Sequence, residues 1–163
     1  WCVSIALLVD GVPSLGAVAD ANHDELFHAC KGLGAYVNQT PIVVNPAVDL
    51  TLGVTGVGTS HRRGKEHFLP FIKQLLDEGG MFIRNGSGAL MIAYVAAGRL
   101  LGYYETHINS WDCLAGLVLV SEAGGQCSDF LKDRGLIEGN PLLVAAPQLY
   151  PALARMIGPS LNS

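Results

Sequence analysis

Short aliphatic and β-branched runs separated by turn residues fill the first quarter of the chain, and this pattern limits its possible folds more than any other feature. The run Cys2 to Val9 is followed by Asp10-Gly11, a dipeptide typical of hairpin turns, and by a second run, Leu15 to Val18. Two more short runs, Glu25 to Cys30 and Ala35 to Asn38, come after further turn residues. The pattern predicts an antiparallel meander.

Strand-like and helix-like segments alternate through the rest of the chain. Apolar spacing and capping signals, including Ser110 as a helix cap and Pro147 as a helix start, predict helices over residues 63–78, 86–101, 110–123 and 147 to about 156. Strands are predicted over residues 49–56, 81–84, 102–105 and 142–146. A meander followed by this alternation predicts an α/β fold in which helices pack on sheet layers.

Composition narrows the class of partner. With 163 residues, of which 50% are hydrophobic, the chain has the size of one domain with a buried core. A net charge of −4 gives no general attraction for nucleic acid or an anionic membrane, so a small-molecule partner is expected. No apolar run reaches the roughly 20 residues of a membrane span. The four cysteines form no CxxC pair, which favours reduced, mostly buried thiols in a cytoplasmic protein.

The most specific local signal lies at the start of the predicted helix 110–123. Asp112 falls in the first helical turn, where the helix dipole favours a carboxylate. It is either an ordinary first-turn residue or an oxygen ligand for magnesium, beside a helix N-terminus that favours phosphate. Ala115 and Gly116, with Ala123 and Gly124, keep one side of this helix thin, which predicts the close approach of another backbone segment.

These residues carry a resemblance to the inositol monophosphatase family. Its motifs are Trp111-Asp112-x-x-Ala115-Gly116, Glu122-Ala123-Gly124-Gly125, Arg84-Asn85-Gly86-Ser87-Gly88-Ala89-Leu90, Ala96-Ala97-Gly98-Arg99 and Tyr103-Tyr104-Glu105. The resemblance covers essentially the whole chain. It implies the C-terminal portion of a layered α-β-α-β-α fold, and a homodimeric enzyme that uses Mg2+ to hydrolyse a sugar or polyol phosphomonoester.

The resemblance also implies roles for individual residues. It makes Asp112 a ligand of a catalytic magnesium ion, and it makes Gly86, Ser87, Gly88 and Glu105 contacts to substrate hydroxyls. Carboxylate, hydroxyl and helix N-terminal amide groups suit a polyol. Without the resemblance, Ser87 is equally well a helix cap, and Glu105 is interpreted as a solvated strand-end charge. Gly88 stands where relatives usually carry Ala, and the spacing from Arg84 to Gly86 is one residue shorter than in the animal enzymes.

Two carboxylate motifs of the family do not occur in the chain. Family members place a Glu-Glu pair and an Asp-Pro-Ile/Leu-Asp-Gly-Thr loop before the strand that begins here at Trp1. We therefore expect residues 1–163 to form a single unit that starts inside a fold and lacks the N-terminal metal-binding segment. Asp112 alone cannot hold magnesium as a two-metal mechanism requires, so this segment is expected to be inactive by itself. The alternative is a non-catalytic remnant, or a binding or dimerisation module.

Substrate identity stays open within the family. Inositol 1-phosphate is the leading candidate, and histidinol phosphate, fructose 1,6-bisphosphate and 3'-phosphoadenosine nucleotides are the alternatives. The histidines show no zinc-ligand spacing with the cysteines. A local basic cluster is interpreted as a solvated loop and helix start, not as a nucleic-acid site; its members are His61, Arg62, Arg63, Lys65 and His67.

Overall fold

A computed structural model describes residues 1–161, with two five-stranded sheets. The first sheet is antiparallel throughout and follows chain order: β1 (Val3–Val9), β2 (Val12–Asp20), β3 (Glu25–Cys30), β4 (Ala35–Val37) and β5 (Thr40–Ile42). The predicted meander is confirmed. Strand β5 was not predicted, because its central residue is Pro41, which lacks an N–H and is tolerated in a sheet mainly at an edge strand such as this one.

The second sheet is mixed and has the order β7-β6-β8-β10-β9. Strand β6 runs parallel to both β7 and β8, whereas β10 runs antiparallel to β8 and β9. Its strands are β6 (Val54–Gly58), β7 (Met81–Ile83), β8 (Gly102–Ile108), β9 (Gln126–Cys127) and β10 (Asn140–Ala145). The helices are α1 (Leu69–Asp77), α2 (Gly88–Ala96), α3 (Ser110–Glu122), α4 (Gly135–Glu138) and α5 (Tyr150–Ile157), with 3-10 turns at Leu50–Leu52, Lys65–His67 and Gly158–Leu161.

The elements stack in four layers. Helices α2 and α3 lie between the two sheets, and α1 and α5 cover the opposite side of the second sheet. Because side chains alternate along a strand, β8 serves both cores: Tyr103 packs in the layer of α2 and α3, and Tyr104 packs with Phe71 of α1. The predicted α/β fold with helices on sheet layers is confirmed.

Local backbone chemistry corrects two predicted segments in the middle of the chain. The strand predicted over residues 49–56 begins only at Val54, because the Asp49 side chain accepts a hydrogen bond from the Thr51 N–H at 2.8 Å and starts a 3-10 turn. The helix predicted over residues 63–78 begins at Leu69. Pro70 occupies its first turn, where a missing N–H is tolerated, and would interrupt a helix that had started earlier.

The other predicted helices also have different ends. Helix α2 starts at Gly88 and stops at Ala96, because Gly98 adopts φ +70 and terminates the helix. Helix α3 begins at Ser110, so the N-cap residue is Asn109, and the prediction of Ser110 as the cap was wrong. The Asn109 side chain makes no capping hydrogen bond. The last helix begins at Tyr150, later than the predicted start at Pro147.

The first sheet approaches α3 through a glycine. A Cβ added at Gly16 on β2 would lie 2.8 Å from the Ala115 Cα, and its nearest contact would be the Ala115 carbonyl oxygen. On the α2 side, a Cβ at Gly116 would lie 2.8 Å from the Ile92 Cβ. Small residues on α3 therefore let a strand and a helix pack closely against it, as their spacing predicted.

This close approach makes Gly16→Val strongly destabilising. The added side chain would meet backbone atoms that cannot rotate away, so we expect a loss of about 3 kcal/mol, the upper end for overpacked cores. In a chain of this size that corresponds to a fall of roughly 6–12 °C in Tm, measurable by circular dichroism. The matched control is Ala17→Val, since Ala17 points to the opposite face of β2 and is half-buried. Equal Tm changes in the two variants would contradict the proposed contact.

Asp20 ties the β2–β3 turn to helix α2. The Tyr94 hydroxyl donates to Oδ2 at 3.1 Å, the His23 Nδ1 lies 2.8 Å from the same oxygen, and the Asn22 N–H donates to Oδ1. Burial raises the pKa of Asp20, but these three bonds together leave it below its ordinary value. The ionised carboxylate therefore stabilises the folded protein.

Acid should weaken the hydrogen bonds that the Asp20 carboxylate accepts. Because the pKa of Asp20 is lower in the folded than in the unfolded protein, its stabilisation is present above the unfolded value of about 4 and is lost as the pH falls through the folded value. We expect Asp20→Asn to lower the free energy of unfolding near neutral pH and to flatten its decline in acid, as measured by urea titration. Asp10→Asn, at an exposed turn, is the control, and identical pH curves for wild type and Asp20→Asn would refute the assignment.

The structure also bears on membrane insertion and on the cysteines. None of the helices described within residues 1–161 is long and apolar enough to cross a bilayer. All four cysteines are free thiols. Only Cys113 is fully buried, so the expectation that most of them are buried was wrong.

Candidate functional site

Three parallel strands end at the same edge of the second sheet. Because β6 runs parallel to β7 and β8, the segments that follow these strands, residues 59–62, 84–87 and 109–112, emerge together. Ligands of α/β sheets commonly bind outside the carboxyl ends of the strands. An open pocket of about 680 Å³ lies at this edge.

All five residues predicted for the site line this pocket. They come from the start of α2, the strand β8 and the first turn of α3: Gly86, Ser87, Gly88, Glu105 and Asp112. The pocket also includes side chains that were not predicted as site residues, among them Cys2, Thr59, Arg62 and Asn109. Two sequence signals pointed to this group: the position of Thr59 directly after a glycine-rich strand, and the basic cluster that contains Arg62.

The start of α2 is shaped by a tight turn. Gly86 adopts φ +88, a left-handed conformation that favours glycine, and the Asn85 side chain accepts a hydrogen bond from the Ser87 N–H at 2.9 Å. Ser87 is the N-cap, and its hydroxyl accepts from the Leu90 N–H at 3.4 Å. The N–H groups of Gly88 and Ala89 have no intrahelical acceptor, so they are available to an oxygen of a ligand in the pocket.

Glu105 lies half-buried on β8, beside a tyrosine of the same strand face. The Tyr103 hydroxyl donates a hydrogen bond to Oε2 of Glu105. Burial raises the pKa of Glu105, the bond from Tyr103 lowers it, and the negative charge of Asp112 raises it, with a net upward shift. The Glu105 carboxyl group is therefore held in a partly desolvated position, in the same pocket as Asp112.

A polar network supports the N-terminus of α3. Arg62 donates to Oδ1 of Asn109 at 2.6 Å, and its Nη1 lies 3.4 Å from Nδ1 of His107. The His107 Nε2 lies 2.9 Å from the Glu138 carbonyl oxygen, which assigns the ring proton to Nε2 and leaves Nδ1 as the acceptor for Arg62. Arg62 is exposed in the loop after β6, as predicted, and its side chain also joins this loop to the start of α3.

The pocket combines features that suit a phosphorylated polyol. Two helix N-termini and the guanidinium groups of Arg62 and Arg84 favour an anion, and the carboxylate of Glu105 accepts hydroxyl hydrogen bonds. The carboxylate of Asp112 is an oxygen group of the kind that Mg2+ prefers. Throughout residues 1–161, however, no three Asp, Glu, His or Cys side chains converge on a single point.

Comparison with known proteins places the chain in a family. The sequence profile of the inositol monophosphatase family matches residues 1–160. The chain belongs to this family. Its layer order, sheet, helices, sheet, helices, agrees with the C-terminal portion of the family's layered fold, as the sequence motifs predicted.

Individual relatives show how much of the family's length is represented. A Nus factor SuhB from Pasteurella multocida is 36% identical, and the alignment covers 99% of this chain and 61% of that protein. An inositol-1-monophosphatase from Synechocystis is 40% identical over 79% of this chain and 46% of its own length. The solved inositol monophosphatase from Anabaena superposes with a TM-score of 0.84 at 35% identity, covering 96% of this chain and 63% of that one. The chain spans less than two thirds of these relatives.

Proposed function

We propose that the chain forms the substrate-binding part of a magnesium-dependent phosphatase that hydrolyses a sugar or polyol phosphomonoester, with inositol 1-phosphate as the leading substrate. The observation that carries this proposal is the single pocket shared by Glu105, Asp112 and two helix N-termini. Family membership supports phosphatase chemistry, and the name of the Synechocystis relative supports the substrate. Histidinol phosphate, fructose 1,6-bisphosphate and 3'-phosphoadenosine nucleotides are the alternatives.

The residues of the pocket have separate tasks in this proposal. Glu105 accepts a hydrogen bond from a ring hydroxyl, while the amides of Gly88 and Ala89 donate to substrate oxygens. Gly86 and Ser87 set the backbone turn that presents these amides. The helix dipole of α3 favours the phosphate near Asp112. These contacts orient the substrate, which is how binding groups lower a barrier without forming bonds.

Magnesium requires more ligands than the described residues supply. Magnesium prefers oxygen ligands, and when bound it would supply polarisation of the phosphate and activation of water. Asp112 provides one carboxylate, and no group of three metal-ligating side chains exists within residues 1–161. These residues do not form a magnesium site by themselves, so we propose Asp112 as one ligand of a site completed by carboxylates elsewhere in the full-length protein.

A second candidate function rests on the relatives named Nus factor SuhB, whose name denotes no phosphatase. In that case the chain would belong to a binding or dimerisation module without turnover. We favour the phosphatase because Asp112 and Glu105 border an open pocket, which a module that acts only through its outer surface does not need. The full-length protein is inferred to act as a homodimer in the cytoplasm, a location supported by the four free thiols.

Glu105→Gln tests the substrate assignment in the full-length protein. Loss of a charged acceptor costs about 1.5–3 kcal/mol, which corresponds to a roughly ten- to hundredfold loss of kcat/KM. We expect this loss for inositol 1-phosphate and little change for p-nitrophenyl phosphate, which has no ring hydroxyls to contact. Steady-state kinetics with both substrates measure the difference.

Glu66→Gln is the matched control, because Glu66 is exposed and lies outside the pocket. An equal loss on both substrates would assign Glu105 to the metal-binding or water-activating groups. No loss on either substrate would make it a structural carboxylate. Absence of phosphatase activity in the wild-type protein would favour the non-catalytic alternative.

A further inference from the structure

Tyr103 and Glu105 form a pair beside the pocket: Glu105 lines the pocket itself, and both residues line a smaller cavity of about 40 Å³. They stand two residues apart on β8, so their side chains point to the same face of the sheet. The Tyr103 ring is buried, with only 1% of the residue exposed, and its hydroxyl donates to Oε2 of Glu105. The other carboxylate oxygen, Oε1, has no hydrogen-bond partner among residues 1–161 and belongs to a side chain that lines the pocket.

Two glycines provide the space in which this pair lies. A Cβ added at Gly58, which pairs with Glu105 across β6 and β8, would lie 2.5 Å from the Glu105 carboxyl carbon. A Cβ added at Gly88 would lie 3.3 Å from Oε2 and 3.2 Å from the Tyr103 hydroxyl. Any side chain at position 58 would displace the carboxylate, and even a methyl group at position 88 would press on it. The pair therefore depends on both glycines.

We propose that Tyr103 is a positioning residue that occupies one oxygen of Glu105 and thereby directs the other into the pocket, within a niche left open by Gly58 and Gly88. The proposal deepens the proposed function, because it rests on Glu105 as the acceptor for a substrate hydroxyl. A glutamate has three rotatable side-chain bonds, and a bond to a buried, rigid phenol restricts them. The carboxylate is then oriented before substrate binds, which avoids an entropic penalty on binding.

The neighbouring tyrosine provides a matched control. Tyr104 is as deeply buried as Tyr103, but it faces the other side of the sheet, and its hydroxyl lies 3.4 Å from the His67 carbonyl oxygen. Tyr104→Phe removes the same atom from the same strand without touching the pocket. Any effect that both substitutions share reflects the loss of a buried hydroxyl and not the orientation of Glu105.

The test uses the full-length protein with inositol 1-phosphate and p-nitrophenyl phosphate. We expect Tyr103→Phe to lower kcat/KM for inositol 1-phosphate about tenfold, the lower end for a hydrogen bond to a charged group. The value for p-nitrophenyl phosphate should stay unchanged, and Tyr104→Phe should show no such selectivity. In a Glu105→Ala background, Tyr103→Phe should have no further effect, because the group through which it acts is gone. Additive losses in this double-mutant cycle would overturn the proposal.

A crystal structure of Tyr103→Phe makes the test independent of turnover. We expect the Glu105 carboxylate to leave its position beside residue 103 and to adopt more than one rotamer, with unchanged backbone at β8. A carboxylate that keeps its wild-type position in the variant would overturn the proposal even if kinetics changed. Should the wild-type protein hydrolyse neither substrate, the proposed function fails, while this structural comparison still decides whether Tyr103 orients Glu105.

Discussion

Asp112→Asn is expected to lower phosphatase turnover of the full-length protein by about a thousandfold while the fold is retained. The substitution keeps the shape of the side chain and removes the charge that attracts a divalent cation. Loss of the several kcal/mol that a bound metal contributes to the transition state corresponds to this factor. Because Asp112 lies in the first turn of α3, Asn also fits the backbone there.

The measurement combines kinetics with a magnesium titration. We expect the variant to need more Mg2+ for half-maximal rate, and we expect isothermal titration calorimetry to show weakened metal binding. Asp129→Asn is the control, since Asp129 is an exposed carboxylate outside the pocket. Unchanged turnover and unchanged metal dependence would make Asp112 an ordinary first-turn residue, whose contribution is limited to the helix dipole.

Residues 1–163, expressed by themselves, are expected to show no magnesium-dependent phosphatase activity. The physical reason is that Asp112 belongs to no group of three metal-ligating side chains within residues 1–161, and Asp112 with Glu105 alone supplies too few ligands to hold magnesium in the pocket. The pocket itself is formed by these residues, so its geometry does not explain the absence of turnover.

The assay uses inositol 1-phosphate and p-nitrophenyl phosphate over a range of Mg2+ concentrations, with circular dichroism to verify folding. A release of phosphate no faster than in a protein-free blank is the expected result. Turnover comparable to that of an intact family enzyme would show that our assignment of the metal ligands is incorrect. The positive control mixes residues 1–163 with a separately produced N-terminal portion of a relative, such as the Synechocystis protein. Phosphatase activity that appears on mixing would show that the two portions associate and complete the metal site.

The sequence predicted the fold best where one rule dominated. The meander followed from alternating apolar residues between turn dipeptides, and the resulting strand Glu25–Cys30 has the predicted ends. Predictions failed where a single side chain or dihedral decided the outcome, as with the Asp49 capping bond and the positive φ of Gly98. Such local events override the periodicity on which strand and helix predictions rest.

The candidate site, like the fold, was predicted only in part from the sequence. The residue types of Ser87, Glu105 and Asp112 allowed both structural and functional interpretations, and only the motif resemblance selected the latter. The structure brings all three to one pocket, and their roles stay predictions. The bond from Arg62 to Asn109 depends on the direction of the loop after β6, which no pattern of residue types along the chain encodes. Tyr103 and Glu105 share a strand face because they stand two residues apart, but the residue types alone do not show that the two side chains bond to each other.

The three segments behind the parallel strands, residues 59–62, 84–87 and 109–112, have a consequence for folding order. Along the chain, α1 and β7 separate the first of these segments from the second, and α2 and β8 separate the second from the third. The three segments meet only after β6 has paired with β7 on one side and with β8 on the other. Parallel pairing closes long loops and is intrinsically slow. Recognition of a ligand should therefore appear late during refolding, in step with the final cooperative phase, and a partly folded chain that already contains the hairpins of the first sheet should still be unable to bind.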